Sequence, residues 1–212
     1  MTPSNQQYKA ILFDFDGTLL DSFPAHYRAY EVTLAHFNME LTPELYKQTF
    51  SPNWLAMYEA MSIPKERWQE ADNYWLAEVR KHSPQLFPTA RPLLDALSSK
   101  YVLGLVTSGS RDRVRRDLAS TGIGDLFQVV VTGDDISKPK PDPEGLLIAL
   151  HKLQIRPSEA LYVGDAREDC QMAQAAGVPF VGITGEFATV SGVDGCAQLA
   201  DLSQLEPYIE QN

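Results

Sequence analysis

The stretch Ile11-Leu12-Phe13-Asp14-Phe15-Asp16-Gly17-Thr18 decides the fold class of this 212-residue chain. It lies in a mostly apolar run, Lys9–Phe15, that ends abruptly in polar residues. Such a run predicts a buried strand of the kind found in parallel sheets. Gly17 then allows the chain to turn sharply. The sequence therefore predicts a buried first strand whose end carries two carboxylates.

Strand and helix patterns alternate from residue 90 onward. Gly122 and Gly177 each follow a helical pattern, a common place for a C-terminal cap. This alternation predicts βαβ crossovers, and therefore an α/β fold with a parallel sheet. The further predicted strands are Val102–Thr107, Gln128–Val131, Ala160–Val163 and Phe180–Ile183. The predicted helices of this region are Ala90–Ser99, Arg111–Ser120, Glu144–Leu153 and Glu168–Ala176.

A long helical segment interrupts this alternation. Between Ser22 and Phe87 no convincing strand is found, and a single crossover helix does not need so many residues. We therefore predict an inserted all-helical cap over 22–87 and a core formed by 1–21 and 88–212. The predicted cap helices are Pro24–Phe37, Pro43–Thr49, Trp54–Met61 and Pro64–His82. The cap aromatics are expected to form its core or its seam with the main domain; they are Trp54, Tyr58, Trp68, Tyr74 and Trp75.

Polar side chains follow several of the predicted strands. Asp14 and Asp16 follow the first, Thr107 ends the second, and Asp165 follows the Ala160–Val163 strand. In open α/β sheets, ligands bind beyond the carboxyl ends of the strands. We therefore expect these side chains to converge on one site.

The paired carboxylates Asp14 and Asp16 are suited to phosphoryl transfer. Asp14 is the better nucleophile, because a carboxylate can attack phosphorus and form an aspartyl-phosphate. Asp16 would donate a proton to the leaving alkoxide and then deprotonate the attacking water. Acidic side chains this close repel one another, and a hard divalent cation such as Mg²⁺ would relieve the repulsion.

The remaining candidate residues would hold the phosphoryl group and the metal. The Thr107 hydroxyl and the backbone N–H groups near Ser108 are suited to phosphoryl oxygens. A lysine ammonium would neutralise the nucleophile and the transferring group, with Lys138 and Lys140 as rivals. Asp165 would bind the metal directly. Asp169 would be a ligand or would hold Asp165 or the lysine in place.

Four segments, in this order, resemble the haloacid dehalogenase superfamily of aspartyl-phosphate-forming hydrolases. The first is the Ile11–Thr18 stretch, and the second is Leu103-Gly104-Leu105-Val106-Thr107-Ser108-Gly109. The third, Lys138-Pro139-Lys140-Pro141-Asp142-Pro143, resembles the family's lysine motif with Lys138 as the functional residue. The fourth, Tyr162-Val163-Gly164-Asp165-Ala166-Arg167-Glu168-Asp169-Cys170, with Ala175-Ala176-Gly177-Val178, looks like the phosphoglycolate phosphatase-like subfamily. The resemblance covers about residues 8–22 and 88–205, and the inserted helices occupy the position of the first-type cap.

The resemblance implies a Rossmann-like, doubly wound core, a helical lid, Mg²⁺ and hydrolysis of a small phosphomonoester. The metal would be held by the side chains of Asp14 and Asp165 and by the main-chain carbonyl of Asp16. Phosphate would be held at Thr107 and Lys138, and by the backbone amides near Phe15, Asp16 and Ser108.

Three alternatives to a phosphatase deserve comparison. Dehalogenases of this superfamily typically lack the second Asp, so Asp16 favours phosphate chemistry. A phosphomutase of the β-phosphoglucomutase type would use the same core motifs, which cannot separate the two reactions. A phospho-switch of the receiver type is disfavoured, because Asp16 promotes turnover and a receiver has no use for the cap.

No cap segment matches a named substrate specificity. Ser51-Pro52-Asn53-Trp54 is a plausible substrate-facing loop between helices. The cluster Arg111, Arg113, Arg115 and Arg116 is predicted to be a solvated helix face, with contact to a substrate acid as the alternative.

Composition bears on the binding partners, the location and the state of the two cysteines. The net charge of −10 argues against non-specific affinity for nucleic acid or anionic membrane. No signal peptide and no membrane-spanning run is apparent, so we expect a cytoplasmic protein, and a monomer by default. Cys170 and Cys196 match no zinc spacing and are expected to be unpaired thiols.

Overall fold

A six-stranded parallel sheet forms the centre of the main domain in the computed structural model, which describes residues 8–211. Residues 1–7 and Asn212, which the sequence analysis assigns to the core, lie outside the described residues. The strands of the sheet are Ala10–Phe13 (β1), Val102–Val106 (β4), Val129–Val131 (β5), Ala160–Gly164 (β6), Phe180–Ile183 (β7) and Ala197–Leu199 (β8). They lie in the order β5-β4-β1-β6-β7-β8. The predicted α/β parallel-sheet fold is confirmed, and β8 was not predicted.

The central strand β1 is buried on both faces because helices cover both sides of the sheet. Ile11 and Phe13 belong to one apolar cluster, and Ala10 and Leu12 belong to a second cluster on the opposite face. All four side chains are fully buried. This explains why the sequence is continuously apolar here rather than alternating.

The first four helices of the main domain agree with the predicted ones to within one residue at each end, and the fifth was not predicted. They are Ala90–Ser98 (α5), Arg111–Thr121 (α6), Glu144–Leu153 (α7) and Arg167–Ala176 (α8), followed by Leu205–Gln211 (α9). Gly122 and Gly177 adopt the left-handed conformation at the ends of α6 and α8, as predicted for C-terminal caps.

Four helices lie in the predicted cap segment. They are Phe23–His36 (α1), Pro43–Thr49 (α2), Trp54–Ala60 (α3) and Trp68–Val79 (α4). Their apolar side chains form a third cluster that includes Tyr46, Met57 and Tyr58. Of the five cap aromatics named from the sequence, Tyr58 is buried in this cluster and Trp68 and Trp75 pack against it, as expected. Trp54 and Tyr74 are instead 43% and 40% exposed.

Two short strands stand at the two ends of this helical segment. Leu20–Asp21 (β2) pairs antiparallel with Gln85–Leu86 (β3). The expectation that 22–87 contains no strand is therefore wrong by two residues, because β3 is too short to show a pattern. The division into a core of 1–21 and 88–212 and a cap of 22–87 stays a prediction.

The two cysteines are a further correction. Cys170 is joined to Cys196 by a disulfide, with their Cα atoms 6.8 Å apart, so they are not the unpaired thiols we expected. The sequence separation of 26 residues conceals that the start of α8 lies against the loop before β8. None of the helices in the described part of the chain is long and apolar enough to cross a membrane.

Candidate active site

The carboxyl edge of the sheet brings the predicted acidic residues together. Asp14 follows β1 and Asp165 follows β6, and these two strands are hydrogen-bonded neighbours. Both side chains are almost fully buried. One carboxylate oxygen from each of Asp14, Asp165 and Asp169 lies within 4.8 Å of the others. The predicted convergence at the strand ends is therefore present.

Lys140, not Lys138, is the lysine that reaches this cluster. Lys140 Nζ donates to Asp14 Oδ1 at 2.8 Å and to Asp169 Oδ1 at 2.7 Å. Lys138 is instead 71% exposed, and its Nζ lies 3.7 Å from Asp142. The Lys138 assignment is corrected, because the Glu144 carboxylate binds the Lys138 backbone N–H on the outer side of the loop.

The Lys140 ammonium has no free donor in this arrangement. Its third partner is the Tyr162 hydroxyl at 3.0 Å, which also lies 3.1 Å from the Val106 carbonyl oxygen. Burial alone would lower the pKa of Lys140, but the charges of Asp14 and Asp169 outweigh it and raise the pKa above its ordinary value. Lys140 is therefore charged and fixed beside the candidate nucleophile.

Asp169 is held by its neighbours rather than open to a metal. Its Oδ1 accepts from Lys140 and its Oδ2 accepts from the Ala166 backbone N–H at 3.0 Å. Both oxygens are thus engaged, and the residue is fully buried. Of the two roles predicted for Asp169, this arrangement favours the one in which it holds the lysine in place.

The donor set fits a hard divalent cation. Asp165 Oδ1 accepts from the Thr18 hydroxyl at 2.8 Å, but Asp165 Oδ2 is buried and has no partner among the described residues. Burial raises the pKa of Asp14 to about 7, and the Asp169 charge adds to this, against the opposing effect of Lys140. A cation bound by oxygen ligands would satisfy the orphaned oxygen and stabilise both carboxylates. Asp14 and Asp165 would hold it.

Gly17 is required where it stands by two independent constraints. Its φ of +77° is in the left-handed region, which side chains with a Cβ rarely adopt. A Cβ there would also overlap Asp165 Oδ2 and come within 2.7 Å of the Phe23 ring. The sharp turn predicted after β1 therefore makes room for the carboxylate of another strand.

Asp16 faces away from the acidic cluster and toward α6. Arg113 donates to both Asp16 oxygens, with Nη1 at 2.9 Å from Oδ1 and Nη2 bonded to Oδ2, and His26 Nε2 lies 3.6 Å from Oδ1. Burial would raise the pKa of Asp16, but the Arg113 guanidinium, and then His26, hold it well below its usual range. Burial lowers the pKa of His26 to about 4. Asp16 is therefore ionised in this arrangement.

The segment after β4 provides hydroxyl groups toward the same cavity. Thr107 is buried, and its Oγ1 accepts from the Gly109 backbone N–H at 3.1 Å. Ser108 Oγ is buried without a partner among residues 8–211. A phosphoryl oxygen would supply that partner. This supports the predicted phosphate-binding roles of Thr107 and Ser108. The side chain of Phe15 is fully buried in the apolar core, and the phosphate-binding role of its backbone amide stays a prediction.

A cavity of about 290 Å³ lies over these groups, and residues of the cap line it as well as residues of the core. Ser51, Pro52 and Trp54 line it, as expected for the substrate-facing loop. Ser51 Oγ donates to Glu168 at 2.8 Å, which ties this loop to the core. Asn53 is the exception, because its side chain caps α3 by accepting from the Leu55 N–H.

The family sequence model of haloacid dehalogenase-like hydrolases matches residues 11–183 of the chain. The chain belongs to this family. The match spans the strand ends and the helical insertion together. The protein is thus a hydrolase of phosphoric monoesters on a Rossmann-like core with a helical cap.

Relatives of known name agree with this assignment. The phosphoglycolate phosphatase of Yersinia pseudotuberculosis is 34% identical over 218 residues, covering 95% of this chain and 93% of its own length. The pyrophosphatase PpaX of Bacillus velezensis is 36% identical over 187 residues, covering 85% of each chain. A solved Lactobacillus plantarum structure, provisionally named a phosphoglycolate phosphatase, has a TM-score of 0.85 at 27% identity. The aligned region covers 94% of this haloacid dehalogenase-like hydrolase and 99% of the Lactobacillus plantarum chain.

Besides the choice of lysine, the positions of Tyr162, Arg113 and Asp72 in the site were not predicted from the sequence. Tyr162 reads as an ordinary apolar strand residue, and only the fold shows its hydroxyl beside Lys140. Arg113 was placed on a solvated face, yet it is buried against Asp16, while Arg115 is exposed as predicted. Asp72 of the cap lines the cavity and carried no signal in the sequence.

Proposed function

We propose that this protein hydrolyses a small phosphomonoester through an aspartyl-phosphate on Asp14, with Mg²⁺ as its metal. The observation that supports this most strongly is the Asp14 carboxylate itself. It lines the cavity beside Asp165 and is held by the buried Lys140 ammonium at 2.8 Å. A carboxylate fixed in this way is suited to nucleophilic attack on phosphorus.

In the first half-reaction, an Asp14 oxygen forms a bond to phosphorus while the bond from phosphorus to the ester oxygen breaks. Lys140, Thr107 and Ser108 stabilise charge on the transferring group. When bound, Mg²⁺ would supply electrostatic stabilisation of the phosphoryl oxygens. Asp16 would give a proton to the leaving alkoxide, which requires that its carboxyl group separate from Arg113 and bind a proton.

In the second half-reaction, Asp16 accepts a proton from water, and the resulting hydroxide attacks phosphorus. The bond from phosphorus to Asp14 breaks, releasing inorganic phosphate and the free carboxylate. The ionised Asp16 that Arg113 favours is the form required for this step. One residue would therefore act as acid and then as base.

The experiment is phosphate release from a panel of small phosphate compounds, with Mg²⁺ or with EDTA. The panel includes phosphoglycolate and pyrophosphate, because relatives carry those names, together with alkyl, amino-alkyl and sugar phosphates. We expect metal-dependent release that falls by about 10⁴-fold or more in Asp14→Asn. No release from any compound by folded protein would contradict the proposal. Conversion of a sugar phosphate to its isomer without release would indicate a mutase instead.

A further inference from the structure

The cap wall of the cavity is chemically unlike the core wall. Tyr30, Trp54, Tyr58 and Trp75 line it, and one carboxylate, Asp72, stands among them. The rings form a contiguous group: the Tyr30 centroid is 5.8 Å from Trp75 and 6.2 Å from Tyr58, and Trp54 is 5.4 Å from Tyr58. This is a mostly aromatic enclosure with one negative charge.

Asp72 has no internal partner. Within the part of the chain that the structure describes, no hydrogen bond or ion pair reaches its carboxylate, and its pKa is raised by burial alone. Its charge adds to burial in raising the pKa of the Tyr30 hydroxyl. A half-buried carboxylate without a partner is unfavourable unless something else compensates it.

The positively charged side chain that lines the cavity is already paired with carboxylates of the core. Arg113 is the one lysine or arginine among the described residues that line it. Its guanidinium binds both oxygens of Asp16 and lies 3.4 Å from Asp117. An anionic group at the far end of a substrate would therefore find aromatic rings and Asp72, with no free cation to receive it.

We propose that this wall selects a phosphomonoester whose alcohol portion carries a positively charged nitrogen, a primary or quaternary ammonium group. The inference rests on the proposed function and names its substrate class. Aromatic faces attract such cations, most strongly when the site excludes water, and Asp72 supplies the opposite charge. The phosphate end would lie at Asp14, and the cationic end would lie between Trp75, Tyr30 and Asp72.

Size is compatible with this substrate class. A cavity of about 290 Å³ is at the lower limit of small-molecule sites and suits a short substrate. A nucleoside phosphate could also stack on the rings, but a base gives Asp72 no formal positive charge to pair with. The unpartnered carboxylate therefore favours the ammonium compound.

The test compares esters matched in length and differing in the charge at the far end. These are O-phosphoethanolamine, phosphocholine, propyl phosphate and phosphoglycolate, with a nucleoside monophosphate as a fifth compound. We expect kcat/KM for one of the two ammonium esters to exceed that for propyl phosphate by about tenfold or more. Phosphoglycolate is expected to be the poorest of the matched set.

Substitutions in the cap wall test whether this substrate preference arises there. Asp72→Asn should reduce the ratio of kcat/KM between the ammonium ester and propyl phosphate by about tenfold, and Trp75→Leu should also reduce it. Glu66→Gln is the matched control, because it removes one negative charge from an exposed cap residue outside the cavity. The ratio should not change in the control.

Binding separates failure of this inference from failure of the proposed function. Affinities of the same esters are measured by calorimetry on Asp14→Asn with Mg²⁺, which needs no turnover. Tighter binding of an ammonium ester, lost in the double variant with Asp72→Asn, supports the inference even if hydrolysis is absent. Equal or tighter binding of phosphoglycolate or the nucleotide overturns it, while phosphate release would still uphold the phosphatase.

Discussion

The two walls of the one cavity follow opposite rules. On the core wall, Lys140 is paired with Asp14 and Asp169, and Arg113 with Asp16, while the unpartnered oxygen of Asp165 is left for a metal ion. On the cap wall, aromatic rings surround a carboxylate that has no partner among residues 8–211. The comparison teaches that the groups for the reaction are arranged in advance by the sheet, whereas the cap leaves a charge to be satisfied by the substrate.

The largest expected effect is on the core wall, at Lys140. Lys140→Met removes the ammonium but keeps a long side chain, so phosphate release should fall by about 10³-fold. Lys138→Ala is the matched control two residues away and should stay within about twofold, because that side chain is exposed. The measurement is steady-state kcat for both variants. An unchanged kcat in Lys140→Met, or a loss of the same size in Lys138→Ala, would contradict the assignment of this role to Lys140.

This pair also shows where the sequence was insufficient. Lys138 and Lys140 each precede a proline in the same short loop, so the local pattern does not distinguish them. The choice is made by contacts distant in sequence: Tyr162 and Asp169 receive one lysine, while Glu144 fixes the backbone of the other. Spacing alone carries none of this information.

By contrast, the strand-end residues were predictable. Asp14, Thr107 and Asp165 each follow a buried apolar run, and the carboxyl ends of parallel strands share an edge. The main strands were predictable from the same buried apolar runs, and the main helices from the helical patterns between those runs. Arg113 and Asp72 were not predictable, because each lies on a polar helical stretch whose buried side is set by the packing of cap on core.

The second prediction concerns the pairing of Arg113 with Asp16. Arg113→Gln leaves Asp16 and Asp117 without their shared cation, and should lower the free energy of unfolding by about 3 kcal/mol at pH 7. Because Arg113 lowers the pKa of Asp16, the part of this stabilisation that comes from Asp16 is complete above the unfolded value of 3.8 and is lost as pH falls through the lower folded value.

Urea unfolding at several pH values tests this prediction. The difference between wild type and Arg113→Gln should be largest near neutral pH and should shrink under strongly acidic conditions. Arg115→Gln, an exposed change on the same helix, should alter stability by no more than about 0.5 kcal/mol. A pH-independent difference would mean that the guanidinium stabilises the fold by packing and not by charge.

The third prediction concerns Gly17, where the core wall tolerates no added atom. Gly17→Ala should lower stability by about 1–3 kcal/mol, because the added Cβ meets Asp165 in a left-handed backbone conformation. It should also weaken Mg²⁺ binding, measured by calorimetry. Gly185→Ala is the control, since a Cβ there meets nothing within 4 Å. Normal stability of Gly17→Ala would contradict the close approach.

The smallest expected effect is on the cap wall. Burial raises the pKa of Asp72, so its charged form disfavours folding at neutral pH and ceases to do so below the unfolded value of 3.8. Asp72→Asn should therefore raise Tm at pH 7 by roughly 1–2 °C, with no gain near pH 3. Thermal unfolding measures this, and a lower Tm at pH 7 would show that Asp72 is compensated by a partner.

The most direct test of the central claim is to trap the covalent intermediate on Asp14. The wild-type protein is mixed with Mg²⁺ and its best phosphate ester, quenched in acid and treated with hydroxylamine, which converts an acyl phosphate to a hydroxamate. We expect a hydroxamate on the peptide that contains Asp14, and none without the ester or in Asp14→Asn. Phosphate release with no such adduct, or with the adduct on another carboxylate, would contradict that claim.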